Sequence, residues 1–471
     1  DMGLAGEVGV TPGGSQDIRY ARDLIASGQI PAEEHFTAEG LFSEHDLPLS
    51  GEECGQTLCP RGAASWTDPV GNIGPEMLIQ LGFGTDITED NFQRRPLNLA
   101  LAVDISGSMG SGDKMPSTRE ALHTLVDQLD SGDHMALVAF DDTAVLLQGR
   151  TMMDSAGRTA MHNTINGLGP QGGTCIECGM TKAYDQVAPH AGDVDIEDRV
   201  MLFTDAQPNV GATGLNSFLG MARYYAEADI GLSAFGVGLD LGSELVSELT
   251  KVRGGNAFYL ADSDAIAKVF DEEFDFIVSP IAYDLEVEVE AGPGMEFAAA
   301  YGAPLDDPAP EIDFGASTLF LSKRKGGIGV TLRHTDGGPF YNDVASEGLA
   351  TFHMTFETLD GEIKEDSVVV DFGGGSTIHE QWVPSDDLGV YKMSVLLDEY
   401  LALMAGARFC QGILTQEQAV EQIKDAQKRL QGTASHLTDG PLQAEVSLME
   451  QLLLNMQGGS GNCAPEDYYY Y

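Results

Sequence analysis

The chain has 471 residues, 42% hydrophobic and 8% aromatic, which is long and apolar enough for several packed cores. Its 74 Asp and Glu stand against 25 Lys and Arg, a formal net charge of -49 with a pI near 4.2. Such a surface repels phosphate backbones, which excludes nucleic acid as a partner, and no apolar run reaches the roughly 18 residues of a membrane span. Charge of this size needs screening or bound cations, because self-repulsion opposes a compact state. A saline or Ca²⁺-rich setting and specific carboxylate sites both answer that need, with most of the charge on solvated surface.

In chain order, residues 1–95 hold one helical stretch, 17–27, and otherwise loops rich in Pro, Gly and Cys. That is too little for a core, so this extension is expected to pack on a flanking domain. From 96 to 280 short apolar runs alternate with amphipathic stretches. The runs at 97–103, 135–140, 200–204, 230–237 and 257–260 read as strands, while Ala121, Leu122, Leu125, Val126 and Leu129 share one helical face, as do Ala265, Ile266, Val269 and Phe270. The reading is a doubly wound α/β domain with a mostly parallel sheet.

After Pro280 the period becomes two: Leu285, Val287 and Val289 alternate with glutamates, and Phe352, Met354 and Phe356 alternate with His353 and Thr355. Residues 281–385 read as a β-sandwich. Helical spacing returns over 391–404 and 415–457, with Thr415 and Gln418 as a capping box, so 386–457 is a small helical unit. The tail 458–471 is Gly-rich and ends in four tyrosines. Trp66 and Trp382 read as packing anchors, and the histidines show no spacing that argues for a metal or a general base.

The strongest chemical signal follows the first α/β strand. Asp104, Ser106 and Ser108 put a carboxylate and two hydroxyls at alternate positions above the carboxyl end of a strand, where open α/β sheets place ligands. Thr174 opens a later helix and Asp205 directly follows the strand 200–204. Five hard oxygen side chains with two formal charges suit Mg²⁺ or Ca²⁺, with Mn²⁺ a third candidate, and leave an octahedral position open. Asp113, in the loop after them, is a candidate for a second cation, with a solvated carboxylate as the bland alternative.

These residues resemble the metal-ion-dependent adhesion site of the von Willebrand factor type A family: DxSxS, then Thr, then Asp. The flanks, including 20–28 and the Arg95-Pro96-Leu97-Asn98-Leu99 entry to the first strand, are similar to an exported bacterial subgroup with an N-terminal extension. The resemblance is strong over 97–280 and weak elsewhere. It implies a divalent cation whose open position takes a Glu or Asp from a protein partner. Ala206 stands where many members have Gly, which puts affinity switching through the loop 205–209 in doubt.

Six cysteines, Cys54, Cys59, Cys175, Cys178, Cys410 and Cys463, allow fifteen pairings, of which the sequence-local ones are favoured. The CxxC at Cys175 and Cys178 reads as a structural crosslink ahead of a redox pair, and Cys54 with Cys59 lacks the further ligands of a zinc site. An even cysteine count suits an exported protein at a cell surface or outside the cell. GxxxxGK[ST], HExxH and GxSxG are absent, Ser106 removes the second carboxylate of a DxDxT phosphatase, and the Asp-Phe-Gly triplets at Asp313 and Asp371 read as turns. The expectation is a non-enzymatic, metal-dependent adhesion or assembly protein. Its rivals are a structural subunit of a homo-oligomer or filament, docked through the tyrosine tail, and an intracellular helper of an AAA-type ATPase, which would need free thiols.

Overall fold

A computed structural model describes residues 9–12, 18–71, 74, 76–88, 91–205, 214–238, 248–249, 251–260, 268–322, 326–337, 348–371 and 387–464. The first elements are β1 (Gly9–Pro12), α1 (Arg19–Ala26), α2 (Ala38–Ser43), β2 (Cys59–Thr67) and β3 (Glu76–Gly84). The α/β region comprises β4 (Leu97–Asp104), α3 (Lys114–Gln128), β5 (His134–Phe140), β6 (Ala144–Met152), α4 (Ser155–Asn166), α5 (Ile176–Val187), β7 (Glu197–Thr204), α6 (Gly214–Ala226), β8 (Ile230–Val237) and β9 (Gly255–Leu260). After the short α7 (Phe274–Ile277) come β10 (Pro280–Ala291), β11 (Met295–Tyr301), β12 (Glu311–Ser322), β13 (Ile328–His334), β14 (Ala350–Thr358) and β15 (Ile363–Val370). Three helices close the chain: α8 (Leu388–Cys410), α9 (Gln416–Leu437) and α10 (Gly440–Met456).

The α/β sheet has the order β6-β5-β4-β7-β8-β9, with β4, β5, β7, β8 and β9 parallel and β6 antiparallel at one edge. Its central strands are buried on both faces, so alternation appears as a sorting between two cores instead of between core and water. Along β4, Leu99, Leu101 and Val103 join Leu122, Leu125, Val126 and Met161 on one side. Ala100 and Ala102 join Met180, Ala183 and Tyr184 on the other, where small strand residues let α5 approach closely. Gly179 belongs to that approach, since a Cβ there would lie 2.3 Å from the Phe140 ring.

The sandwich pairs a five-stranded sheet, β1-β12-β10-β14-β15, with a four-stranded one, β11-β13-β3-β2. Its core brings Met77, Ile79 and Leu81 of β3 against Val287, Val289, Phe352 and Met354. The extension therefore contributes strands, which sequence reading missed. Residues 59–67 carry Pro, Gly and Ala without alternation, and β3 finds its partner in β13, with Leu81 opposite Ile328. The triplet at Asp313 is also corrected: it lies inside β12 and not in a turn. Trp66 packs half-buried against this core. Trp382, residues 265–266, Asp17 and the tyrosines of 465–471 lie outside the described residues.

The helical unit gathers α1 and α2 against α8, α9 and α10 around Ile25, Phe42, Leu396, Leu397, Leu430 and Leu452. Thr415 and Gln418 cap α9 reciprocally. The segment after α10 is tied back by Cys410–Cys463 and by Ile30 N–H to Asn462 O at 2.7 Å.

The sandwich meets the α/β unit at the amino ends of the parallel strands. Just ahead of β9, Gly254 N–H donates to Thr318 Oγ1 at 2.7 Å, and Arg253 pairs with Glu357 at 2.9 Å and Asp284 at 2.8 Å. Buried Arg199 donates to Gly254 O and to Glu197 at that same end. The carboxyl ends of β4 and β7 point the opposite way.

Candidate functional site

β4 and β7 are adjacent and parallel, so Asp104 and Asp205, each at a strand's carboxyl end, arrive side by side. Asp104 is fully buried: Oδ1 accepts from Ser106 N–H at 2.7 Å and Oδ2 from the Thr204 hydroxyl at 2.6 Å. Burial pushes its carboxyl above the usual range, and those two hydrogen bonds pull the other way. Ser106 Oγ lies 3.0 Å from Ser108 Oγ, and the Ser108 hydroxyl donates to Asp205 Oδ1 at 2.8 Å. Asp205 is buried, and its Oδ2 accepts from Lys114 Nζ at 2.7 Å.

The loop of Thr174 is bolted alongside. Gly107 N–H donates to Gly172 O, Gln171 N–H to Ile105 O, and Cys175 N–H to Asp141 O at 2.7 Å. Gly172 has φ +67°, and a Cβ at Gly173 would come within 2.5 Å of Asp142 Oδ1, so both glycines are required for the approach. Asp141 steadies this corner by accepting from Thr143 N–H, which holds its carboxyl below the usual range. Thr174 and Ser108 are exposed, whereas Asp104 and Ser106 are buried. Asp113 is exposed just ahead of α3. The Cys175–Cys178 disulfide staples the first turn of α5, and Cys54–Cys59 closes its own short loop.

The donor set fits a hard divalent cation. Octahedral Mg²⁺, with oxygens at about 2.0–2.1 Å, has neighbouring ligands about 2.9 Å apart, and Ca²⁺ takes the same oxygen donors at longer range. The Ser106–Ser108 and Ser108–Asp205 spacings of 3.0 and 2.8 Å lie on either side of that value.

Thr204 and Lys114 escaped sequence reading. Thr204 read only as the end of a strand, and Lys114 stands 91 residues ahead of Asp205 in the chain. The histidine pattern also changes in three dimensions: α3 and α4 bring His123 and His162 together, Nδ1 to Nδ1 at 2.7 Å, with Asn166 and Asp127 on the outer nitrogens. On the sandwich, exposed Glu288, Glu311 and Asp313 cluster across β10 and β12, and the neighbouring charges raise the Glu311 carboxyl. Ala206 and the rest of the loop to Asn209 lie outside the described residues.

Fold and rim together define a class of doubly wound α/β domain with clustered oxygen side chains at the carboxyl ends of its strands. Residues 98–272 match the family model of the von Willebrand factor type A domain, and this part of the chain is such a domain. Domains of this family commonly mediate protein interaction or adhesion. Uncharacterized protein YfbK of Escherichia coli K12 is 28% identical over 198 residues, which is 42% of this chain and 34% of that protein. Human inter-alpha-trypsin inhibitor heavy chain H2 is 24% identical over 205 residues, 42% of this chain and 21% of that one. The match thus spans about a third or less of these relatives' lengths. Among solved structures, a von Willebrand factor type A protein from Catenulispora acidiphila aligns over 88% of this chain and 97% of its own, at 14% identity and a TM-score of 0.47.

Proposed function

We propose that the domain holds Mg²⁺ or Ca²⁺, with Mn²⁺ as a substitute, through Asp104, Ser106, Ser108, Thr174 and Asp205, and presents it to a carboxylate of a protein partner. The observation that supports this reading is the convergence of the Ser106, Ser108 and Asp205 oxygens, 2.8–3.0 Å apart, next to buried Asp104 on the rim turned away from the sandwich. The bound ion would supply a local positive charge and an open coordination position. On a surface of net charge -49 it would let one acidic side chain be recognised where the general field repels it. The chain's own residues do the rest: Thr204 and Ser106 orient Asp104, and Asp141 and the two glycines position the Thr174 loop.

In this reading residues 96–280 are a non-catalytic recognition module, 1–95 and 281–385 brace it, 386–457 closes the chain, and three disulfides favour an exported, surface or extracellular setting. Native mass and metal content of the chain with and without chelator test it. One divalent ion lost from wild type and never bound by Asp104→Ala is the expected result, and equal metal content in both proteins removes the site.

A second reading, self-assembly, is favoured by the open edge strand β6, where Val145, Leu146, Leu147 and Met152 are exposed. Leu147→Lys should then lower the sedimenting mass, and a monomeric wild type ends this reading.

A further inference from the structure

Two carboxylates lie buried at the mouth of β4 and β7, and they are not served alike. Asp104 is held by the neutral donors of Thr204 and Ser106. Asp205 is held by one neutral donor, Ser108, and one cation, the ammonium of Lys114. The Asp205 side chain has no solvent exposure, so that ammonium offsets a charge water cannot reach. Lys114 itself is only partly buried. Its side chain is 27% exposed, and its stem runs along the backbone at Gly238, where a Cβ would touch Cε at 3.5 Å and Cγ at 3.6 Å. The stem thus lies in ordinary contact distance of Gly238 while the side chain stays partly open to water.

We infer that Lys114 is a resident counter-ion that competes with the metal for Asp205 and restricts the site to divalent cations. The inference rests on the metal-site reading above. A dication among Ser106, Ser108 and Asp205 would stand within a few ångströms of the ammonium, and their repulsion drives Lys114 outward to the water its side chain already meets. Exchange of Lys114 for Na⁺ or K⁺ leaves the local charge unchanged and gains nothing. Exchange for Mg²⁺, Ca²⁺ or Mn²⁺ adds one positive charge beside two carboxylates. In a chain of net charge -49, which gathers monovalent counter-ions over its whole surface, this exchange rule keeps the site from filling with the commonest cation.

Calorimetric titration of the metal-free full chain with MnCl₂ at low and at high NaCl tests the inference, comparing wild type, Lys114→Met, Lys114→Arg and Asp104→Ala. At low NaCl, Lys114→Met should bind Mn²⁺ roughly tenfold more tightly than wild type. Its affinity should fall more steeply as NaCl rises, because Na⁺ now enters the vacated position. Metal-free Lys114→Met should melt below wild type at low ionic strength, and Lys114→Arg should keep wild-type behaviour in both measurements. Unchanged or weaker Mn²⁺ binding by Lys114→Met, with wild type binding and Asp104→Ala not, overturns the role of Lys114 and leaves the metal site standing. Absence of Mn²⁺ binding by wild type overturns both. Should Lys114→Met not fold, Lys114→Gln carries the same comparison.

Discussion

The α/β unit and the sandwich solve the same burial problem with opposite connectivity. In the α/β unit every described strand pairs with a neighbour from the same stretch of chain, and helices between the strands cover both faces. In the sandwich, β3 pairs with β13 across the whole intervening domain, and β1 pairs with β12. The site sits on the unit whose contacts are contiguous in sequence, at the end farthest from the joint. The candidate rim is thus carried on a sheet whose pairing is local, and the sandwich paired across the chain packs at its other end.

The largest effect that would sharpen this contrast comes from Phe352→Ala. Phe352 is fully buried in β14 beside Phe83, so its truncation should destabilise the sandwich by about 3–5 kcal/mol in urea unfolding. Mn²⁺ affinity should stay at the wild-type value below the unfolding transition. A parallel loss of affinity would mean that the two regions are one cooperative unit.

Asp104→Ala should act in the reverse sense, lowering divalent affinity at least about 100-fold while the urea midpoint moves little in ample salt. Global unfolding of that variant would show that Asp104 holds the sheet together and does not merely furnish its rim.

A smaller effect is expected at the joint. Arg253 pairs with Glu357 and Asp284, and its guanidinium lies 3.7 Å from the Tyr283 ring centroid. These contacts are partly exposed, so Arg253→Ala should cost about 1 kcal/mol, measured as a shift in the urea midpoint. No shift would leave Gly254–Thr318 and the buried Arg199 guanidinium over the Phe320 ring as the working joint.

The smallest expected effect is a slope. Glu399 of α8 is fully buried beside Glu445 of α10, which also meets Arg22 at 2.5 Å and His45 at 3.1 Å, with Glu44 on the far side of Arg22. Burial, and then the charge of Glu445, raise the Glu399 carboxyl well above its usual 4.5. A carboxyl raised on folding contributes stability that is complete below its unfolded pKa and is lost as pH rises through the folded one. Wild type should therefore lose unfolding free energy as pH climbs above 4.5, and Glu399→Gln should lose less. Identical slopes would show that Glu399 holds no proton in the folded chain.

Much of this molecule was legible in one dimension. The alternation of apolar runs with amphipathic stretches announced a parallel sheet because each βαβ step buries its own faces, and the pattern stays local. Asp104, Ser106 and Ser108 stood out because they end a strand together, and Thr415 with Gln418 because a cap spans only one turn. Strand β2 was silent: Pro60, Gly62 and Ala63 carry no period, and β2 became a strand through its pairing with β3.

The type of sheet and the residues at its rim could therefore be read from the chain alone, since both depend on spacing within a few turns of chain. Which groups meet across that rim and across the domains followed from how the elements pack. Thr204 reaches Asp104 and Lys114 reaches Asp205 because β4 and β7 lie side by side, and His123 finds His162 because α3 packs on α4. Those partners are set by sheet order and helix packing, which place residues far apart in the chain within hydrogen-bond distance and leave no period in the sequence to announce it.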